Sequence, residues 1–344
     1  MAGTGHAHLR DEGTAVLRVQ DLVVEFPAGH GQRVHAVSGI SLDVYEGETL
    51  GLVGESGCGK STTGRAIMQV PRPTGGSVRL HGEELTTLHG EALRKIRPKM
   101  QMVFQNPISS LNPRRRIRDI ISQPLAVWGV DDVDARTALV RRILDEVGLD
   151  PDDSMNRRPH EFSGGQCQRI SIARALALEP ELLICDEPVS ALDVSVQAQI
   201  LTLLESLKAR HKLTMIFIAH DLAVVKNISD RVAVMYMGKL CEVAPANQLY
   251  EHPTHPYTQG LINSIPIPDP EIARRRQNHL RGEIPSPLSP PSGCRFRTRC
   301  QYADEKCAAA EPVLRAVSAN HFVACHHAVY GGEPRTGTAS VIPA

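Results

Sequence analysis

Residues 54–62 read Gly-Glu-Ser-Gly-Cys-Gly-Lys-Ser-Thr, which fits the pattern Gly-x-x-x-x-Gly-Lys-Ser/Thr. In such a loop, backbone N–H groups converge on phosphate oxygens, the lysine neutralises phosphate charge and the following hydroxyl reaches Mg²⁺. The short apolar run Thr49–Val53 precedes the loop, and helical character begins at Lys60. Strand, loop and helix in this order predict a nucleotide site. The residues predicted to line it are Gly54, Ser56, Gly57, Cys58, Gly59, Lys60, Ser61 and Thr62, with Ser61 as a magnesium ligand.

A second element complements this loop. It is the apolar run Leu182–Cys185, which is followed by Asp186 and Glu187. Magnesium requires hard oxygen ligands, so Asp186 is predicted to bind the metal. Glu187 is then placed to orient or deprotonate an attacking water. An Asp-Glu pair after a strand is by itself more often a solvated turn, and only its combination with the phosphate loop favours catalysis.

Composition limits the class of protein. Lys plus Arg and Asp plus Glu both number 38, so the net charge is zero and the overall basic charge typical of nucleic-acid binding is missing. No apolar run reaches the length of a membrane span, and the polar N-terminus carries no signal-peptide core. We expect the chain to stay in the cytosol and to act at a membrane through partner proteins.

Strand-like and helix-like segments alternate along the chain, which predicts an α/β fold with a largely parallel sheet. Seven prolines between Pro266 and Pro291 predict a linker or irregular segment. The expected strands are 16–26, 34–45, 49–53, 100–104, 182–185 and 215–219, and the expected helices include 134–147 and 194–208.

Residues 162–166, Phe-Ser-Gly-Gly-Gln, resemble the Leu-Ser-Gly-Gly-Gln signature of ABC ATPases, with a conservative change at Phe162. Residues 103–105 resemble the Q-loop, residues 190–193 resemble the D-loop, and His220 looks like the switch histidine that reaches the γ-phosphate. The resemblance covers residues 15–262. It implies that two ATPase domains pair head to tail, with ATP held between the phosphate loop of one and the signature of the other. The residues implied in this way are Gln105, Ser163, Gly164, Gly165, Gln166, Asp193 and His220, where Gln105 also contacts Mg²⁺ or the attacking water.

An aromatic residue ahead of the phosphate loop stacks on adenine in this family, and Phe26 is the residue that we assign, with His35 and Val37 as neighbours. An ordinary core aromatic that closes a strand is an equally good interpretation of Phe26.

Longer phrases resemble the oligopeptide/dipeptide importer branch: residues 54–62, Phe-Gln-Asn-Pro-Ile-Ser-Ser-Leu-Asn-Pro at 104–113, and His-Pro-Thr-His-Pro-Tyr-Thr at 252–258. The last run is also a proline-bounded connector. The resemblance implies an ATPase subunit that works with a second ATPase, two permeases and an external binding protein, at the cytoplasmic face of the membrane and without nucleic acid. Residues 106–118, with turns and basic side chains, suit a permease-docking surface.

Other functions stay open. The branch includes nickel, glutathione and oligosaccharide importers, and the ATPase subunit touches no cargo. A soluble ABC ATPase acting on DNA or ribosomes is less favoured, because the chain shows one cassette, no sustained heptad run and no net positive charge.

Four cysteines near the C-terminus, Cys294, Cys300, Cys307 and Cys325, have five, six and seventeen residues between them. Four thiolates are the usual ligands of a [4Fe–4S] cluster, and the irregular segment needs a staple to hold its shape. The C-terminal region of peptide-importer ATPases, which the segment resembles, carries such a cluster in some members. Zinc is the alternative, although Cys-x₂-Cys pairs are missing, and four reduced cysteines without a ligand is the third interpretation.

The predicted organisation therefore combines a P-loop ABC ATPase domain with a small cysteine-containing appendage. A disordered tail over 1–14 precedes the nucleotide-binding domain over 15–262, which has a mixed-sheet core and a helical subdomain at about 95–175. An irregular C-terminal domain over 263–330 holds the four cysteines, and a second disordered tail covers 331–344.

Overall fold

The computed structural model describes residues 5–11, 13, 15–265, 280, 282–330 and 333–334. The chain divides into two compact units. Met1–Thr87 with Ala219–Ala344 form the first unit, and Leu88–Ile218 form the second. Residues 266–279 and 281 of the predicted proline-rich stretch at 266–291, and most of the predicted tail at 331–344, lie outside the described residues.

The first unit contains an antiparallel sheet in which the long strands β1 (Ala15–Pro27) and β2 (Arg33–Tyr45) pair along most of their length. The second half of β2 is buried on both faces, because successive residues from Val37 to Val44 all lie in the core. The sheet consists, in spatial order, of β2 (Arg33–Tyr45), β1 (Ala15–Pro27), β4 (Gly75–Leu80) and β5 (Glu83–Glu84).

A second sheet of the first unit is mixed and carries the phosphate loop. Strand β3 (Thr49–Val53) is fully buried and pairs parallel with β9 (Arg231–Tyr236), and β10 (Lys239–Pro245) follows antiparallel. An apolar strand buried on both faces is typical of a parallel pair inside a core. The helices of this unit are α1 (Lys60–Ile67), α9 (Leu222–Ile228), α10 (Ala246–Glu251), α11 (Pro256–Asn263) and α12 (Glu305–Ala309).

The second unit holds three parallel strands and the helices that precede and follow them. The strands are β6 (Met100–Val103), β7 (Leu182–Asp186) and β8 (Thr214–Ala219), with β7 in the middle. The helices are α2 (Gly90–Ile96), α3 (Pro107–Ser110), α4 (Ile117–Val127), α5 (Val133–Glu146), α6 (Pro151–Ser154), α7 (Gly164–Leu176) and α8 (Val194–His211). The stretch predicted as a helical subdomain thus contains α3 to α7. None of the helices in the described part of the chain combines the length and apolarity needed to cross a membrane.

The N-terminal segment differs from the expected disorder, because residues 5–11 pack against β2. His8 is 2% exposed, and its Nε2 donates to the Ser41 carbonyl at 2.7 Å. Arg10 Nη2 contacts Asp43 at 3.0 Å and Glu48 at 2.5 Å. Asp43 is fully buried, and a buried carboxylate needs a cationic or hydrogen-bonding partner. The polar composition of the segment therefore reflects pairing rather than disorder.

The C-terminal segment is only partly irregular. Arg315–Ser318 (β11) and His321–Val323 (β12) form a hairpin, and β12 pairs antiparallel with β10, so the mixed sheet of the first unit ends in the order β9-β10-β12-β11. A further short hairpin joins Val329–Tyr330 (β13) to Glu333–Pro334 (β14). Residues 315–323 therefore extend the sheet instead of forming a domain of their own.

Candidate functional site

The phosphate loop connects β3 to α1 in a conformation that only glycine fits at two positions. Gly54 has φ 154°, and a Cβ there would lie 2.1 Å from the Met235 carbonyl oxygen. Gly59 has φ 106°, and a Cβ there would lie 2.2 Å from the Ala36 carbonyl oxygen. Both contacts are shorter than van der Waals distance, so side chains at these positions would displace the loop.

Lys60 lies inside the loop at the start of α1. Its side chain is buried, and Nζ donates to the carbonyl oxygens of Gly54 at 2.7 Å and Glu55 at 3.0 Å. No side chain caps the N-terminus of α1, and the partial positive charge at that end of the helix attracts an anion. The loop therefore holds an ammonium group and a helix N-terminus together, which is the arrangement that binds phosphate.

The second unit holds the predicted carboxylates. Asp186 ends β7 with its side chain fully buried, whereas Glu187 is partly exposed. Glu187 has φ 47°, a left-handed conformation that is strained for a glutamate, and its N–H donates to the Ile218 carbonyl at 2.9 Å. Gln105, just after β6, donates from Nε2 to Glu187 Oε2 at 2.8 Å. The structure thus joins two of the three residues predicted for catalysis.

The signature residues cap α7. Ser163 Oγ accepts the N–H of Gln166 at 3.3 Å, and Gln166 Oε1 accepts the N–H of Ser163 at 2.9 Å, which completes a capping box. Ser163 is exposed, so the N-terminal end of this 13-residue helix faces solvent. A Cβ on Gly165 would lie 2.5 Å from Val196 Cγ1 of α8, so glycine is required for these helices to pack.

Asp193 and His220 occupy the ends of other elements. Asp193 is exposed and caps α8, accepting the Val196 N–H at 3.0 Å and the Ser195 hydroxyl at 2.7 Å. These hydrogen bonds lower the pKa of Asp193. His220 is exposed immediately after β8.

Phe26 lies near the end of β1, opposite Val34, with its side chain 37% exposed. His35 is half-buried, and its Nδ1 contacts Glu25 at 2.7 Å. Val37 is fully buried, so it has no surface to offer a nucleotide, contrary to its place as a neighbour of the adenine. Partial exposure leaves Phe26 accessible for stacking.

The structure brings the four C-terminal cysteines close to one another. Burial raises the pKa of the Cys325 thiol to about 12, and the thiols of Cys294, Cys300 and Cys307 add to that shift. The Cys325 sulfur accepts the His327 N–H at 3.3 Å, a contact that stabilises a thiolate. Backbone N–H groups also act to lower the pKa values of the other three thiols, against the effect of burial: those of Phe296 and Arg297 at Cys294, Tyr302 at Cys300 and Asp304 at Cys307.

Two contacts at the phosphate loop could not be predicted from the sequence. Arg299 forms an ion pair with Glu55, and the Tyr257 hydroxyl accepts the Glu55 N–H. Tyr257 belongs to the run at 252–258, whose predicted significance is only that of a marker of a family branch, and Arg299 precedes the predicted ligand Cys300.

Two family models match the chain. The model described as "ABC transporter" matches residues 37–190, and the model described as "Oligopeptide/dipeptide transporter, C-terminal region" matches residues 241–307. The chain is 50% identical over 313 residues to the putative oligopeptide transport ATP-binding protein YkfD of Bacillus subtilis (strain 168), covering 90% of this chain and 95% of that protein. It is 49% identical over 326 residues to the oligopeptide transport ATP-binding protein OppF of Salmonella typhimurium, covering 92% and 97%.

Solved structures of ABC cassettes also match the chain, at lower sequence identity. cbiO1 from Clostridium perfringens, part of the ABC transporter complex cbiONQ, matches with a TM-score of 0.62 and 26% identity, covering 69% of this chain and 91% of that chain. The ATP-binding cassette MJ0796, solved as a dimer in a post-hydrolysis state with ADP and Pi, matches with a TM-score of 0.61 and 28% identity, covering 67% and 98%.

Proposed function

The chain belongs to the ATP-binding subunits of ABC transporters, and from that premise we propose that it binds and hydrolyses ATP to power the import of di- or oligopeptides. One observation carries the proposal. A single chain holds both a complete phosphate loop around Lys60 and an exposed, capped signature helix at Ser163. These are the two complementary halves that an ATP-dependent pair of ATPases requires.

ATP binds with its phosphates on the loop at 54–62. Lys60 neutralises the β- and γ-phosphates, and Ser61 and Asp186 bind Mg²⁺ through oxygen. The full burial of Asp186 supports this role, since a divalent cation offsets the cost of burying its charge. Phe26 stacks on the adenine with its exposed face.

Hydrolysis uses Glu187, Gln105 and His220. Glu187 accepts a proton from the water that attacks the γ-phosphorus, and the ADP oxygen leaves on the opposite side. Gln105, which already donates to the Glu187 carboxylate, orients that water and contacts Mg²⁺. His220 donates to the γ-phosphate, and its exposure after β8 supports this contact.

Two ATPase subunits form one working pair. Ser163 and the backbone of Gly165 contact the γ-phosphate held by the partner copy, where the N-terminal end of α7 contributes a partial positive charge. Gly164 and Gln166 complete that contact, and Asp193 lies at the junction of the two subunits. ATP therefore holds the pair closed, and hydrolysis releases it.

The pair drives two membrane permeases, which receive peptide from an external binding protein. We expect the permeases to hold the chain at the cytoplasmic face of the membrane. The relatives named for oligopeptide transport support peptide as the cargo.

The test is uptake by the assembled transporter. Subunits that co-purify with this chain are identified, reconstituted into vesicles and supplied with ATP and labelled peptides, nickel, glutathione or oligosaccharides. Peptide-stimulated hydrolysis and peptide accumulation are expected. Stimulation by one of the other cargoes would correct the substrate class, and co-purification with ribosomes or DNA in place of permeases would overturn the transport function.

We further propose that the four C-terminal cysteines bind a [4Fe–4S] cluster with a structural role. The backbone N–H groups at each thiol and the proximity of the thiols support thiolate ligation.

Anaerobically purified protein should be brown, absorb near about 400 nm and contain about four irons per chain. Cys300→Ser should remove the colour and increase hydrogen exchange across 282–330, because the segment loses its cross-link. Colourless anaerobic protein that contains stoichiometric zinc, or no metal, would refute the cluster. The trio Asp304, Cys307 and His327, whose ligand atoms lie within 4.8 Å, is where a single metal ion would then be sought.

A further inference from the structure

Glu55, the second residue of the phosphate loop, is held through all of its polar groups. Its carboxylate accepts two hydrogen bonds from Arg299, at 2.6 Å from Nη1 and 3.0 Å from Nη2. Its N–H donates to the Tyr257 hydroxyl at 2.8 Å, and its carbonyl accepts Lys60 Nζ at 3.0 Å. The loop is therefore fixed at this residue by contacts to each of its polar groups.

Arg299 is well placed to serve as a rigid anchor. Its side chain is only 4% exposed, and its guanidinium lies 5.8 Å from the centre of the Tyr236 ring. The hydrogen bonds to Glu55 raise the pKa of Arg299, so the guanidinium stays charged at any physiological pH. A bidentate pair between a planar guanidinium and a carboxylate fixes orientation as well as distance.

Aromatic packing fixes the position of the segment that carries Arg299. Phe296 contacts both Tyr236 and Tyr257, with ring centres 5.3 Å away in each case, and the two tyrosine rings lie 4.8 Å apart. Tyr257 and Phe296 are almost fully buried. The residues between Cys294 and Cys300 thus pack against the same tyrosine that holds the Glu55 N–H.

A second contact supports the loop through the turn between β9 and β10. Arg295, next to Cys294, donates to the Met237 carbonyl, and the Gly238 N–H donates to the Cys58 carbonyl at 2.8 Å. Arg299 therefore contacts the phosphate loop directly at Glu55. Arg295 supports it at Cys58 through this turn.

We propose that the C-terminal four-cysteine segment sets the conformation of the phosphate loop, with Arg299 as a positioning residue that acts on nucleotide binding through Glu55. The proposal rests on the proposed function, since it requires the loop to bind ATP. A loop that is already fixed loses less conformational freedom when it closes on phosphates, and this raises its affinity for them. The His-Pro-Thr-His-Pro-Tyr run and the segment Cys294–Cys300 then both hold the phosphate loop in its conformation.

The test compares the affinity of the purified full-length chain for a fluorescent ATP analogue with Mg²⁺. Arg299→Gln should weaken binding about tenfold, the effect of losing a charge-assisted pair. Arg299→Lys keeps the charge but loses the bidentate geometry, and it should recover part of the loss. Arg297→Gln is the matched control, because Arg297 contacts Ser292 in the same segment and should bind the analogue like wild type.

A double variant separates positioning from general stability. If Arg299 acts through Glu55, adding Glu55→Gln to Arg299→Gln should weaken binding no further, and hydrogen exchange at 54–60 should increase in both single variants. If Arg299→Gln fails to fold, Glu55→Gln alone tests the inference. The Glu55 side chain is 22% exposed, so this variant should fold. It should weaken binding of the analogue about fivefold.

Two results would overturn the inference: wild-type affinity in Arg299→Gln with a lower melting temperature, or additive losses in the double variant. Failure of the wild-type chain itself to bind the ATP analogue would instead overturn the proposed function, so the two failures can be told apart.

Discussion

Glu187 combines three features that are expected of a catalytic carboxylate. Its backbone is in the left-handed region, at φ 47°, its carboxylate accepts Gln105 Nε2, and it directly follows the buried Asp186. A strained conformation costs about 1–3 kcal/mol and persists only where surrounding contacts impose it. Here the hydrogen bond from the Glu187 N–H to the Ile218 carbonyl holds that conformation.

Glu187→Gln should keep ATP binding and lower turnover at least about hundredfold, because the amide cannot accept the proton of the attacking water. The amide still bonds to Gln105, so the fold should be unchanged. Hydrolysis is measured in the assembled transporter, with Glu205→Gln on the exposed face of α8 as the control. Wild-type turnover in Glu187→Gln would show that another group is the base.

The local conformations of the phosphate loop and of the signature could be predicted from the sequence, because local geometry sets the spacing within each motif. Gly54 to Ser61 and Ser163 to Gln166 are contiguous, and each set forms one turn or cap. The pair between Glu55 and Arg299 could not be predicted, since 244 positions separate them and no periodicity links them. The left-handed φ of Glu187 could not be predicted either, because glutamate has no preference for that region.

At the scale of elements, the buried strands and the longest helices agree with their hydrophobic patterns. Strand β3 has the predicted bounds, and α8 begins at the predicted Val194 but extends to His211. The hairpin of β11 and β12 was missed, because strands of four and three residues are too short for their alternating burial to be recognised in the sequence. The N-terminal segment was missed because its contacts are ionic and long-range in sequence.

The N-terminal segment makes stability depend on pH. His8 is neutral in the folded chain, since burial lowers its pKa to about 4 from 6.5, against the opposing effects of the Ser41 carbonyl and Asp43. Arg231 adds to the lowering. Below pH 6.5 the unfolded chain binds a proton that the folded chain does not. Stability is therefore complete above pH 6.5 and falls as the pH drops toward 4.

The expected contribution of His8 to this loss is up to about 3 kcal/mol between pH 6.5 and 4. His255 has the same lowered pKa, so the wild-type chain titrates two such groups. Urea unfolding should show a smaller pH dependence for His8→Gln than for wild type, whereas His30→Gln, in an exposed loop, should match wild type. Equal slopes for His8→Gln and wild type would mean that the histidine is not buried.

We expect the helices of the second unit to offer a surface for the permeases. Ile108 on α3 is 61% exposed and Val127 on α4 is 54% exposed, an unusual exposure for apolar side chains. Ile108 belongs to the docking stretch predicted at 106–118. A groove of about 520 Å³ on this surface is lined by Arg115, Asp119, Ser122, Gln123, Ala126 and Val127.

A photoreactive residue in place of Ser122 should crosslink to a permease in the purified transporter, because we expect a short permease helix to bind in the groove. The same residue in place of Thr298, exposed in the four-cysteine segment, is the control and should give no permease adduct. Mass spectrometry identifies the adducts. Crosslinks from position 298 alone would place the docking surface on the C-terminal segment.

At the scale of the whole molecule, the division of the chain into two units bears on how two subunits would share ATP. The phosphate loop belongs to the first unit and the signature to the second, and the proposed function needs each signature to act on another subunit's nucleotide. A pair of identical or homologous subunits then contains two ATP sites, each built from two chains. Activity should consequently depend on pairing, and an isolated chain should hydrolyse ATP weakly.

Ser163→Arg tests this directly. The bulky cation should prevent contact with the γ-phosphate on the partner and stop hydrolysis there, while Lys60 of the mutated chain still binds ATP. A chain with Lys60→Ala has the opposite defect. Mixing the two inactive variants, under conditions where the wild-type chain is active, should restore hydrolysis, since one site of each mixed pair is intact. If each signature served its own loop, every site would stay defective and the mixture would remain inactive.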